Sequence, residues 1–108
     1  MTAFAREWLE TCDQRRPFFL WLHFWDAHGP YYSPPGYLDR YHTDAALLET
    51  MKARGQAPTF DYMGKTWATE AAINQYDGGI RFIDDELKSF FDYLRSQGLY
   101  ENTLIVVV

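Results

Sequence analysis

The rhythm of apolar and polar positions changes along the chain, and each rhythm predicts an element. Phe4, Trp8 and Leu9 are spaced for one face of a helix over residues 3–12, with Thr2 placed to cap it. Pro17 ends any helical continuation, because the residue before a proline is driven out of the α region. The run Phe18-Phe19-Leu20-Trp21-Leu22-His23-Phe24 is too short for a buried helix and too apolar for a half-exposed strand. It reads as a strand over 18–24 covered on both faces. Residues 26–37, with Gly29, Pro30, Pro34, Pro35 and Gly36, read as a structured loop. From 38 to 66 the pattern is weak: a short helix from Ala45 to Arg54 with Asp44 as its cap, then breaks at Gly55, Pro58 and Gly64.

A long stripe follows. Ile73, Tyr76, Ile80, Ile83, Leu87, Phe90 and Leu94 recur at steps of three or four, which predicts a helix over about 69–97. Asp77, Arg81 and Asp85 share another face at a spacing that allows pairing. Gly98 supplies the left-handed residue that ends a helix, Glu101-Asn102 form a turn, and Thr103–Val108 read as a second buried strand. Strand, helical crossover and strand form a βαβ pattern, which calls for a right-handed connection and neighbours in a parallel sheet. Two strands do not make a stable parallel sheet alone. The chain also stops inside a β-branched run, so it is expected to be a piece of a longer α/β protein.

Composition narrows the class. The chain has 108 residues, 47% apolar and 23% charged, an ordinary globular mixture. A net charge of −5 argues against a nucleic-acid partner held through phosphates. No apolar run reaches the length of a membrane span, and residues 1–16 lack the apolar core of a signal peptide. The one cysteine, Cys12, excludes an intrachain disulfide framework and reads as structural.

In open α/β sheets ligands bind beyond the carboxyl ends of the strands, which selects Asp26-Ala27-His28-Gly29-Pro30-Tyr31. His28 is the candidate catalytic residue, since a histidine donates a proton or holds a charged oxygen near neutral pH. His23 falls inside the apolar run and reads as a satisfied core histidine; His42 reads as solvated. Asp26 and His28 make a D-x-H pair, but two ligands do not make a metal site, and Asp26 reads as a turn former. Asp84, Asp85 and Glu86 are adjacent and form a solvated face. Gly78-Gly79 follows no strand and makes no phosphate loop; it reads as close packing of the helix on the sheet. Trp21 and Phe24 read as core, which leaves Tyr31 and Tyr32 for stacking on a ligand.

Pro17–Tyr31, PFFLWLHFWDAHGPY, followed by Pro34-Pro35, resembles the middle of a sulfatase, in the alkaline phosphatase superfamily. Tyr76–Leu87 (YDGGIRFIDDEL) and Leu94–Val108 (LRSQGLYENTLIVVV) resemble the long helix and strand that lead to that family's S/T-D-H-G metal motif. The resemblance is close over 17–31 and 70–108; 38–66 fits only as a variable insertion. It implies that 1–108 is a partial sulfatase catalytic domain, α/β, part of a mixed or parallel-sheet alkaline-phosphatase-like sandwich. It implies hydrolysis of a sulfated small molecule or glycan by a formylglycine nucleophile, with a divalent cation of the calcium type. At the position of His28 it implies sulfate contact and assistance to the leaving oxygen. Export to the periplasm or extracellular space is compatible with it.

The C/S-x-P-x-R nucleophile motif is absent: Cys12-Asp13-Gln14-Arg15-Arg16 lacks the proline and lies too near the strand. No metal ligands are expected within the chain, so the formylglycine and cation are expected from segments outside it, and the chain alone is expected to be inactive. A phosphoglycerol or phosphoethanolamine transferase, or a phosphodiesterase of the same superfamily, is the alternative nearest in kind. A small carbohydrate-binding module using the loop tyrosines is the alternative of another class.

Overall fold

The computed structural model describes residues 1–13, 15–40, 45–55 and 59–108. Helix α1 spans Thr2–Thr11, α2 Ala45–Ala53 and α3 Thr69–Ser96, with short 3₁₀ turns at Leu38–Arg40 and Tyr100–Asn102. Strands β1 (Thr59–Tyr62) and β2 (Lys65–Ala68) form an antiparallel hairpin. The expected His42, the cap Asp44 and the break at Pro58 lie outside the described residues. The chain divides into two compact units, Met1–Phe24 with Asp84–Val108, and Trp25–Ile83.

The first unit holds the apolar core. Ala5 and Leu9 of α1 are buried with Phe90 and Leu94 of α3, and Phe18, Leu20, Leu22, Leu99 and Ile105 pack against them. The expected face of α1 is corrected here. Leu9 is fully buried, but Phe4 is 75% exposed, and the small residues Thr2 and Ala5 take the inner positions instead. Trp8 meets Phe18 edge-on at 5.9 Å from the rim. Thr2 does not cap α1 with its side chain; its hydroxyl donates to Glu86 Oε2 on α3. Arg6 Nη2 donates to Ser89 Oγ at 2.6 Å, and the guanidinium lies over the Tyr93 ring. Burial pushes the Tyr93 phenol up, Glu10 adds to the effect, and Arg6 opposes it.

The long helix ends as its sequence dictates. Gly98 takes φ +68°, Leu99 N–H donates to Leu94 O at 2.9 Å, and Gly98 N–H to Arg95 O at 3.0 Å. These two bonds are the Schellman motif, with Leu99 packed back on the core.

The expected strands 18–24 and 103–108 form no ladder among the described residues; the paired strands are the antiparallel β1 and β2. Burial on both faces is corrected as well. Phe18, Leu20, Leu22 and Phe24 are half-buried, while Phe19, Trp21, His23 and Trp25 between them are exposed. Thr103 and Ile105 are half-buried beside exposed Leu104 and Val106. Each segment covers one face with the helices, and no neighbouring strand is present in the described chain to cover the other. The family fold is therefore seen here only as a mixed α/β arrangement of helices and one antiparallel pair.

The second unit holds the loop, α2, the hairpin and the first part of α3. Here the expected stripe fails: Tyr76 and Ile80 are exposed, and the buried positions are Ala72, Gly78 and Gly79. A Cβ at Gly78 would collide with Ser33 Oγ and stand 3.1 Å from Tyr37 O; one at Gly79 would stand 3.4 Å from Tyr32 O. The glycine pair admits the loop rather than a sheet. Ser33 is buried there and donates to Gln75 O on α3 at 2.7 Å.

Candidate functional site

The loop 25–33 is fixed from both ends. A turn over Trp25–His28 closes through His28 N–H donating to Trp25 O at 2.9 Å, and Ser33 ties the far end to α3. The Asp26–Ala27 and Gly29–Pro30 peptides are cis. Tyr31 meets Tyr76 of α3 edge-on at 5.5 Å, and Tyr37 meets Phe82 at the same distance.

His28 stands exposed at the tip of this loop, its ring 4.5 Å from that of Trp25 at a 32° tilt. Its Nδ1 lies 2.7 Å from Gly29 O. A carbonyl oxygen only accepts, so Nδ1 carries the hydrogen and the ring tautomer is set by the backbone. Nε2 is thereby the atom left to accept a proton when the ring is neutral, or to donate one when it is charged. Asp26, His28, Pro30, Tyr31 and Gln75 line a cleft of about 140 Å³. The D-x-H pair is thus brought to one cavity, with Asp26 half-buried at its wall.

A second cleft of about 150 Å³ shares His28, Pro30 and Tyr31, and adds Gly29, Tyr62 and Trp67. The last two come from the hairpin. Residues Met63 and Gly64 both take positive φ, 50° and 73°, the two-residue turn that matches the twist of paired strands. Tyr62 pairs with Lys65 and Phe60 with Trp67, so Tyr62 and Trp67 share a face, diagonal to one another. Asp61 and Thr66 occupy the opposite face, where Thr66 Oγ1 donates to Asp61 Oδ1 at 2.7 Å.

The sulfatase family model matches residues 1–108, the whole chain. The chain belongs to the sulfatase family. No curated protein and no solved structure gives a match. Membership brings with it a function of the sulfate-ester-hydrolase kind.

The sulfatase resemblance implies a divalent cation. Among the described residues no three His, Cys, Asp or Glu side chains stand together as ligands. Asp26 and His28 therefore do not fit a resident metal by themselves. Cys12 is half-buried in the first unit, its Sγ donating to Leu9 O at 3.5 Å, a structural environment. No helix among the described residues is long and apolar enough to cross a membrane.

Tyr62, Trp67 and Gln75 are the cleft residues that sequence reasoning passed over. Gln75 is on a helix face that the apolar stripe did not mark. The signal for the other two was the alternation in Thr59–Tyr62 and Lys65–Ala68 around Met63-Gly64, hidden because the turn lacks the usual Asn-Gly or Asp-Gly.

Proposed function

We propose that these residues belong to a sulfatase catalytic domain of the alkaline-phosphatase-like sandwich type and hydrolyse sulfate esters, with His28 as the group that contacts the sulfate and assists the leaving oxygen. The observation that carries this reading is the Nδ1–Gly29 O bond of 2.7 Å, which commits one ring nitrogen to the backbone and frees Nε2 for substrate. A protonated imidazole beside the ester oxygen stabilises the negative charge that grows there as the S–O bond breaks. The Trp25 ring, 4.5 Å away at a 32° tilt, flanks the imidazole on one side.

The sandwich reading has its own support. Phe19, Trp21, Leu104 and Val106 are large apolar side chains exposed by 67% or more, alternating with residues packed on the helices. Faces of that kind suit burial by further layers or neighbouring strands. The formylglycine and the calcium-type cation find neither a C/S-x-P-x-R motif in the sequence nor a ligand set among the described residues. They are proposed to come from elsewhere in the enzyme, and no step is assigned to them.

The test is His28→Ala and His28→Gln in the polypeptide that carries the nucleophile motif, assayed on an aryl sulfate. Loss of general-acid assistance is expected to lower kcat by about 10²–10⁴-fold, with the smaller loss on esters whose leaving group needs no proton. Equal losses on good and poor leaving groups would remove the proton-donor role. Turnover of phosphate monoesters or diesters in place of sulfate would move the chain to the transferase or phosphodiesterase branch of the superfamily.

A further inference from the structure

The cleft between His28 and the hairpin has no part in the reading above. Its walls are Tyr31, Tyr62, Trp67 and Pro30, three aromatic rings and a pyrrolidine, with His28 at its edge. At about 150 Å³ it matches the size of apolar cavities that admit a single benzene ring. Two features show how it is built. The hairpin register puts Tyr62 and Trp67 on one face, and the Trp67 indole N–H reaches Tyr62 O at 3.4 Å, bracing the two residues together. Gly29 then lets the hairpin seat against the loop: a Cβ there would stand 3.1 Å from Tyr62 Cε1 and 3.2 Å from its hydroxyl. The hairpin wall and the His28 loop are therefore in contact at Gly29, next to the candidate catalytic side chain.

We infer that this cleft takes one six-membered ring with an apolar face, the ring that bears the sulfate ester, and that Tyr62 and Trp67 are specificity-determining residues. Aromatic walls pack against flat apolar faces. A pyranose presents such a face through its axial C–H groups, and an aryl ring presents one outright. Naming the ring as the ester's own rests on the sulfatase reading; ring binding as such does not.

The test is a titration of the chain, followed at the Trp67 indole N–H by ¹⁵N-resolved NMR, with methyl glucopyranoside, benzyl alcohol and glycerol as probes. One or both ring probes are expected to shift the Trp67 signal saturably, and glycerol is expected to leave it unmoved. Response to the glucoside alone assigns a sugar ring, and response to benzyl alcohol alone assigns an aryl one. Tyr62→Ala is expected to weaken binding by several-fold to about tenfold, the range of a lost aromatic contact. Trp67→Phe, which keeps a ring, is expected to change it by less than about twofold, read from the shifts of Tyr62 and Gly29. A Trp67 signal indifferent to both rings, or Tyr62→Ala binding as tightly as the parent, overturns the inference. Ring binding lost in Tyr62→Ala while His28→Ala leaves turnover intact would break the sulfatase-site reading and keep the ring site. The reverse pattern would break the ring site alone.

Discussion

From Asp84 onward α3 buries Phe90 and Leu94 against Ala5 and Leu9 of α1, side chain against side chain. Before Ile83 the same helix buries glycines, and what approaches it is the backbone and short side chains of a loop. One end is an apolar core whose contacts scale with area removed from water. The other is a mount, where shape decides how close the His28 loop can come. Side-chain packing and loop packing are thus segregated along one helix, and the two ends answer differently to substitution.

The sharpest way to break this contrast is in the core. Leu9 is fully buried and Phe4, the larger residue, is 75% exposed on the same helix. Leu9→Ala is expected to cost about 2–5 kcal/mol of unfolding free energy, while Phe4→Ala stays within about 0.5 kcal/mol. Chemical denaturation of the two variants decides it. Comparable losses would mean that the core of the first unit is not where α1 meets α3.

At the mount the expected effect is smaller and of a different origin. Gly78→Ala gains about 1 kcal/mol in helix propensity, yet its methyl would displace Ser33 and press on Tyr37 O. Overpacking typically costs about 1–3 kcal/mol, so the net expectation is a loss of up to about 2 kcal/mol. Ser33→Gly, by removing the hydroxymethyl group, is expected to rescue the alanine variant in part. A stabilised Gly78→Ala protein would show that the loop does not rest on the helix there.

How much of this was legible follows from the same division. The end of α3 at Gly98 and the placement of His28 in a loop after an apolar run depend on local rules, and both were readable. The hairpin around Met63-Gly64 was not, because methionine at positive φ carries no sequence signal. Phe4 and Tyr76 misled for another reason: large apolar residues at helical spacing attract attention, whereas the buried positions are the small residues Ala5, Gly78 and Gly79. The segment 18–24 read as doubly buried because all its positions but His23 are apolar, while packing on the helices engages every second residue only. Composition records what a segment tolerates, and which face is covered depends on partners elsewhere in the fold.

The smallest expected effect lies on the exposed face of the core end of α3, and it asks whether charge adds to what packing supplies there. Lys88 Nζ reaches Asp92 Oδ2 at 2.5 Å and Arg95 Nη1 reaches Oδ1 at 3.0 Å, one carboxylate between two cations, one on the turn before it and one on the turn after. The hydrogen bond from Lys88, ahead of its charge and of Arg95, holds the Asp92 carboxyl below its ordinary 3.8. A carboxyl whose folded value is depressed adds stability above the unfolded value, and that contribution is lost as pH falls below about 3.8 toward the folded one. The group is open to solvent, so the effect is screened and smaller than either substitution above. Lys88→Gln is expected to raise the Asp92 midpoint more than Arg95→Gln does, both read by carboxyl NMR titration at low salt, and 1 M salt is expected to shrink the difference. If Arg95→Gln moved Asp92 further, the i,i+3 contact from Arg95, not the i,i+4 contact from Lys88, would be the one that sets its charge.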